Sequence, residues 1–222
     1  MKPDLEIVKR VVGLGIPDST LQITNSLLNT VLNRSLLFYG GDLAVSVMGV
    51  INSIAALLLL PVVGLRQGLQ PIISFNYGAK KYSRVKQALK LGLIIATCIV
   101  IVSYTITRVF PGQLIGLFNR EEEMISFGIE AMKAWFLLLP VVGIQIIGSS
   151  FFQAIGRFKI ASFLTLTRQL ILLIPAVIIF PRIWGLKGLI HTAPFADFFS
   201  FLLTSSWLII WLKFKSFDQD KS

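Results

Sequence analysis

Asp18, Gln22, Asn25, Asn29 and Asn33 recur along one apolar stretch at intervals of four, three, four and four. At 100° per residue they fall within an arc of about 80°, one continuous hydrogen-bonding stripe on a helix. Polar groups in hydrocarbon must find partners, a neighbouring helix or water. The stripe therefore has two chemistries open to it: interhelical amide bonding, or the wall of a water-filled path. Gln145, Ser149 and Gln153 form a shorter stripe at i, i+4 and i+8, just after Pro140. A proline there can kink the helix and free a backbone carbonyl. The candidates for a substrate path are Gln22, Asn25, Asn29, Gln145, Ser149 and Gln153.

Arg168 and Asp197 are the ions most deeply set in apolar sequence. Each lies about nine or ten residues into a helix, the two helices running in opposite directions. At 1.5 Å per residue both reach about 14–15 Å, near the middle of a hydrocarbon core about 30 Å thick. A structural ion pair between adjacent helices is one reading, and Asp197 as a proton or cation site is the other. His191, the only histidine, falls near a helix end, where a packed or interfacial role is expected. Cys98 is the only cysteine and lies in an apolar run, so a packed thiol is expected. No H-E-x-x-H, G-x-S-x-G or P-loop pattern occurs, and nothing points to an enzyme, a resident metal or a cofactor.

The elements that position these groups follow from composition. The chain has 222 residues, 55% hydrophobic and only 14% charged, with a mean hydropathy of +0.77. Soluble domains carry about 25% charge, so a water-soluble globule is excluded. Apolar segments at about 14–38, 44–70, 88–110, 124–150, 159–181 and 187–212 give six membrane spans. The connections are Gly40-Gly41-Asp42, residues 76–88, residues 111–123, and short turns near Arg157 and Pro181. None is long enough for a soluble domain. The fold class is an all-α membrane protein with a six-helix lobe at 13–213, an N-terminal segment at 1–12 and a tail at 214–222. The first segment carries Pro3, Asp4, Glu6, Lys9 and Arg10 without a compact apolar stretch, so no secretory signal is expected there.

The net charge of +10 is mostly a statement of topology. One side of the bilayer collects both termini and the basic turns around Lys80, Lys81, Arg84, Arg157 and Lys159. The other side holds Arg108, Arg120, Arg182 and Lys187. The positive-inside rule places both termini in the cytoplasm and makes a nucleic-acid partner unnecessary. Asn119 followed by Glu122 fits a capping box opening the fourth span, and Glu130 with Lys133 fits a local pair. Arg34 and Arg66 are expected to snorkel from helix ends. The string Leu-Leu-Leu-Pro-Val-Val-Gly occurs at 58–64 and again at 137–143, a candidate internal repeat.

The segment Gly68-Leu-Gln-Pro-Ile-Ile-Ser-Phe-Asn-Tyr-Gly-Ala-Lys-Lys-Tyr-Ser-Arg84 resembles the second half of multidrug and toxic compound extrusion (MATE) transporters. Further matching stretches follow the same order: Gly13-Leu-Gly-Ile-Pro17, Phe152-Gln-Ala-Ile-Gly156, and Arg168-Gln169 with Pro175. Gly185-Leu-Lys-Gly188 with Pro194 and Asp197 closes the pattern. The likeness covers nearly the whole chain and looks closest to bacterial exporters of small cations. The resemblance implies one lobe of a two-lobe, twelve-helix transporter in the bacterial inner (plasma) membrane. It would export cationic amphipathic compounds by H⁺ or Na⁺ antiport with a rocker-switch motion. The partners implied are the lipid bilayer, a small cationic amphipathic substrate, and an N-terminal lobe or second copy. The first, second, fourth and fifth spans would line the central cavity. Some branches carry acids in the first and fourth helices of this lobe, whereas residues 140–145 here contain none. Asp18, at the start of the first helix, matches no such coupling acid. A non-transporting remnant or assembly subunit, or a flippase of the same superfamily moving a lipid-linked glycan, are the alternatives.

Overall fold

The computed structural model describes the backbone of residues 5–217 and the side chains of residues 22–213. Asp18 and the segments at 1–4 and 218–222 lie outside the described residues or side chains. The described chain is helical: α1 (Leu5–Gly78), α2 (Tyr82–Val109), α3 (Pro111–Gly116), α4 (Glu122–Trp135) and α5 (Leu139–Ala154). α6 (Phe158–Leu166), a π-helical segment (Thr167–Leu173), α7 (Ile174–Ile190) and α8 (Thr192–Phe217) complete it.

α1 is two helices joined at Gly41, whose φ of 64° and ψ of −165° break the helical path. That region of backbone space is essentially open to glycine alone. Its long apolar part, Gln22–Gly78, has 57 residues, or about 85 Å of helix against a hydrocarbon core of about 30 Å. The two arms on either side of Gly41 are therefore two crossings. α4 and α5 meet at a 50° bend and together make one broken span. α6, the π segment and α7 form another, and α8 the last. With α2 counted, six crossings result, and exposed apolar side chains of α2, such as Leu91 and Ile94, offer a surface suited to lipid.

Several boundaries differ from the sequence reading. The fifth crossing does not turn at Pro181, which is buried inside α7; the break is at Gly185, with φ 59° and ψ −145°. The capping box does not form. α4 begins at Glu122 without a side-chain cap, and Asn119 Oδ1 instead accepts the Glu121 N–H at 2.9 Å. Asparagine readily closes such a local turn with the N–H two residues on, which competes with helix capping. The two copies of the repeated heptapeptide take different backbones. Residues 58–64 lie within a continuous arm of α1, whereas Leu137 and Leu138 sit in the bend and Pro140 in the first turn of α5.

Two apolar clusters hold the bundle. One gathers Leu36, Met48, Ile51, Met132 and Leu189 around the two arms of α1, α4 and the end of α7. The other gathers Val62, Leu89, Val100, Phe151 and Trp211 around the remaining ends of α1, α2, α5 and α8. Without a hydrophobic drive between helices in lipid, close approach depends on small residues. Gly143 of α5 is such a point: a β-carbon there would stand 3.1 Å from the Ala96 carbonyl oxygen of α2. A backbone oxygen cannot swing aside as a side chain can. Gly143→Leu is expected to separate α2 from α5 and cost about 1–3 kcal/mol by overpacking. Gly49→Ala, where nothing lies within 4 Å, serves as the control. Thermal unfolding in detergent reads the difference, and equal midpoints would remove this contact as a determinant of packing.

Candidate functional site

The second arm of α1, α5, the α6–π segment and α8 line a half-open cavity of about 260 Å³ in the lobe. Its polar wall comes from Arg66, Gln145, Ser149, Gln153, Arg168 and Gln169. The stripe on α5 thus faces one half-open space along its whole length. Gln145 is buried and its Nε2 donates to the Asp197 backbone carbonyl at 2.8 Å. Ser149 Oγ donates back to the Ile146 carbonyl at 3.1 Å, a common way for serine to satisfy itself in an apolar helix.

The π segment explains how two neighbouring residues reach different helices. Pro175 has no N–H, so the normal hydrogen-bond ladder cannot run through it. Just before it the Ile174 N–H donates to the Gln169 carbonyl, five residues back rather than four. Such widened turns occur frequently at functional sites. From this segment Arg168 Nε donates to Asp197 Oδ1 of α8 at 2.6 Å. Gln169 Nε2 donates to Asn25 Oδ1 of α1 at 2.8 Å. Asp197 is 4% exposed, while the Arg168 side chain keeps 32% of its surface open. A polar chain therefore runs from Asn25 through Gln169, Arg168 and Asp197 to Gln145, crossing four elements of the lobe.

The first stripe is divided by this geometry. Asn25 is half-buried in the network, whereas Gln22, Asn29 and Asn33 are exposed on the surface of the lobe. On the second arm of α1, Gly49, Asn52, Ser53, Ala56, Gly64 and Gln67 are exposed as well. Arg66 does not snorkel from the helix end: it lies three turns before Gly78 and stands in the cavity wall. Periodicity gave no signal for that position, because it depends on how α1 packs. Glu130 approaches Lys187 at 4.0 Å rather than Lys133, with both side chains well exposed, and such surface pairs contribute little. His191 is exposed, with Nδ1 2.7 Å from the Lys187 carbonyl, and Cys98 is exposed rather than packed. Among the described residues no group of three His, Cys, Asp or Glu could hold a metal ion.

The MatE family model matches residues 19–179, which takes in both stripes apart from Asp18, together with α6 and the π segment. The chain belongs to this family. MATE proteins are transporters rather than enzymes, and the chain is a multi-pass membrane protein by both its family and its apolar helices. The Multidrug export protein MepA of Staphylococcus aureus (strain MSSA476) is 26% identical over 216 residues, 95% of this chain and 46% of the relative. MepA of Staphylococcus saprophyticus is 25% identical over 224 residues, 100% of this chain and 48% of the relative. The solved MATE multidrug transporter DinF-BH superposes with a TM-score of 0.82 at 37% identity, over 94% of this chain and 46% of that one. An outward-facing MATE transporter superposes with a TM-score of 0.84 at 22% identity, a likeness of fold, over 93% and 47%. The chain spans about half the length of the relatives it matches, as one lobe of a two-lobe fold does.

Proposed function

We propose that this chain is the C-terminal lobe of a MATE-type multidrug exporter, acting with an N-terminal lobe or a second copy. The observation that carries the reading is the exposed polar face of α1. Gln22, Asn29 and Asn33 on one arm, with Asn52, Ser53 and Gln67 on the other, lie on the surface of a membrane bundle. Amides facing lipid would be left without partners, at a cost in hydrocarbon. A second lobe and a water-filled cleft would supply those partners, and the half-length match to whole exporters points the same way. In this reading a lipophilic cation binds in the cleft and is carried outward by a rocker-switch motion. An acid exchanging H⁺ or Na⁺ drives the cycle. Asp197 is the membrane-embedded acid available on the described part of this lobe, and an acid of the other lobe is the further choice. The lobe is taken as residues 13–213 with both flanking segments in the cytoplasm of a bacterial inner membrane, on the strength of the basic turns.

The half-length favours a second reading, a non-transporting remnant or assembly subunit. Co-expression with the N-terminal six-helix lobe of a related exporter, in cells stripped of their own pumps, separates the two. Ethidium efflux together with a detergent-extracted complex heavier than one chain is the expected result. A complex that forms without efflux would assign the assembly role. A chain that stays alone and inactive would sink the exporter reading.

A further inference from the structure

We infer that the cavity in the lobe binds the acidic head of an anionic amphiphile. Two arginines stand in its wall, Arg66 from α1 and Arg168 from the π segment. Arg168 is offset by Asp197 at 2.6 Å. Arg66 makes no hydrogen bond or ion pair among the described residues, so the wall carries one uncompensated positive charge. Arg66 is part-exposed to the cavity and no acid in the wall offsets its charge. An anion entering the cavity is therefore attracted, and a lipophilic cation is repelled.

The rest of the lining fits the same chemistry. Guanidinium groups match the oxygens of phosphate, sulfonate and carboxylate with paired donors. Gln153 and Thr204 bring amide and hydroxyl donors to the same wall. Leu59, Ile146 and Phe158 form an apolar side for the start of a hydrocarbon body. The volume of about 260 Å³ holds a head group and a few methylenes, and the open side leaves room for the rest of an apolar body. The ligand class is a single acidic group on an apolar body, whether a lipid phosphate or a soluble organic anion.

The test is direct binding of labelled dodecyl phosphate to the purified full chain in a neutral maltoside detergent, and needs no transport. Saturable binding is expected, weakened at least about tenfold by Arg66→Gln and largely kept by Arg66→Lys. Ser149→Asp, which puts a negative charge in the same wall with Arg66 intact, is expected to weaken binding to a similar degree. Arg182→Gln, at an exposed cation away from the cavity, is expected to bind as the unaltered chain does. Competition by phosphatidylglycerol but not by naphthalene sulfonate would assign a lipid source, and the reverse a soluble one. No saturable binding, unchanged binding by Arg66→Gln, no competition by either anion, or equal displacement by dodecyltrimethylammonium would each overturn the inference. If Arg66→Gln fails to fold, Ser149→Asp and the competition between anion and cation decide. Loss of efflux with binding intact would count against the exporter reading and leave this site standing.

Discussion

Arg168→Met is expected to cost the lobe more stability than Asp197→Asn, although the two residues form one ion pair. Removing the arginine leaves a carboxylate that is 4% exposed, with the Gln145 amide already committed to the Asp197 backbone carbonyl. An orphaned buried charge of that kind costs about 3–5 kcal/mol. Asp197→Asn is milder for two reasons. An asparagine carbonyl can still accept the Arg168 Nε–H, and the guanidinium, with 32% of its side chain open, borders a cavity that water can enter. A loss of about 1–2 kcal/mol, that of a charged bond made neutral, is the expected scale. The double exchange Arg168→Asp with Asp197→Arg should recover part of the loss if the pair is mainly structural. Thermal unfolding midpoints in detergent give the order directly. The reverse order would show that Arg168 draws its support from elsewhere. Failure of the exchange to recover anything, with Asp197→Asn abolishing efflux at near-normal stability, would instead give Asp197 a role in coupling.

How much of this arrangement was legible beforehand depended on what kind of physics set it. The crossings were visible because bilayer thickness imposes a length on apolar runs, and the Gly40-Gly41-Asp42 connection marked the first turn. Arg168 and Asp197 could be put at one depth because rise per residue is fixed. The α5 stripe was legible for the same reason, since i, i+4, i+8 spacing needs only helix geometry. What stayed hidden was set by packing and by local backbone competition. Gln169 could not be assigned to Asn25 without knowing that the π turn before Pro175 aims it at α1. Arg66 looked like a helix-end cation, because the arm of α1 runs on to Gly78 beyond the apolar pattern. Asn119 had the right spacing for a cap, yet its side chain closed on the nearer Glu121 N–H. Glu130 and Lys133 were neighbours in sequence, but the approach of α7's end offered Lys187 instead.

The division of the first stripe supplies the second large effect. Asn25→Leu and Asn29→Leu remove the same chemical group from the same helix face, one turn apart, and are expected to fail in different ways. Asn25 accepts from Gln169 at 2.8 Å, and Gln169 Oε1 already lacks a partner. Deleting Asn25 would strand the whole Gln169 amide and loosen α1 from the π segment, at about 0.6–2 kcal/mol for an interhelical bond in a membrane. Asn29 is exposed and touches no such partner, so Asn29→Leu should leave the unfolding midpoint of the lobe within about 0.5 kcal/mol of the unaltered chain. If that face lines the cleft, however, the leucine takes a hydrogen-bonding group from the substrate path. Binding of a lipophilic cation to the assembled two-lobe complex should then weaken about tenfold, the scale of one hydrogen bond to a charged ligand. Normal efflux with Asn29→Leu would remove that position from the path. Normal stability with Asn25→Leu would mean that the Gln169 bond does not hold α1 in place. The pairing matters because it separates glue from path on a single helix face: a helix that rocks must keep one hydrogen bond to its own lobe while the next turn exchanges its partners with water and substrate.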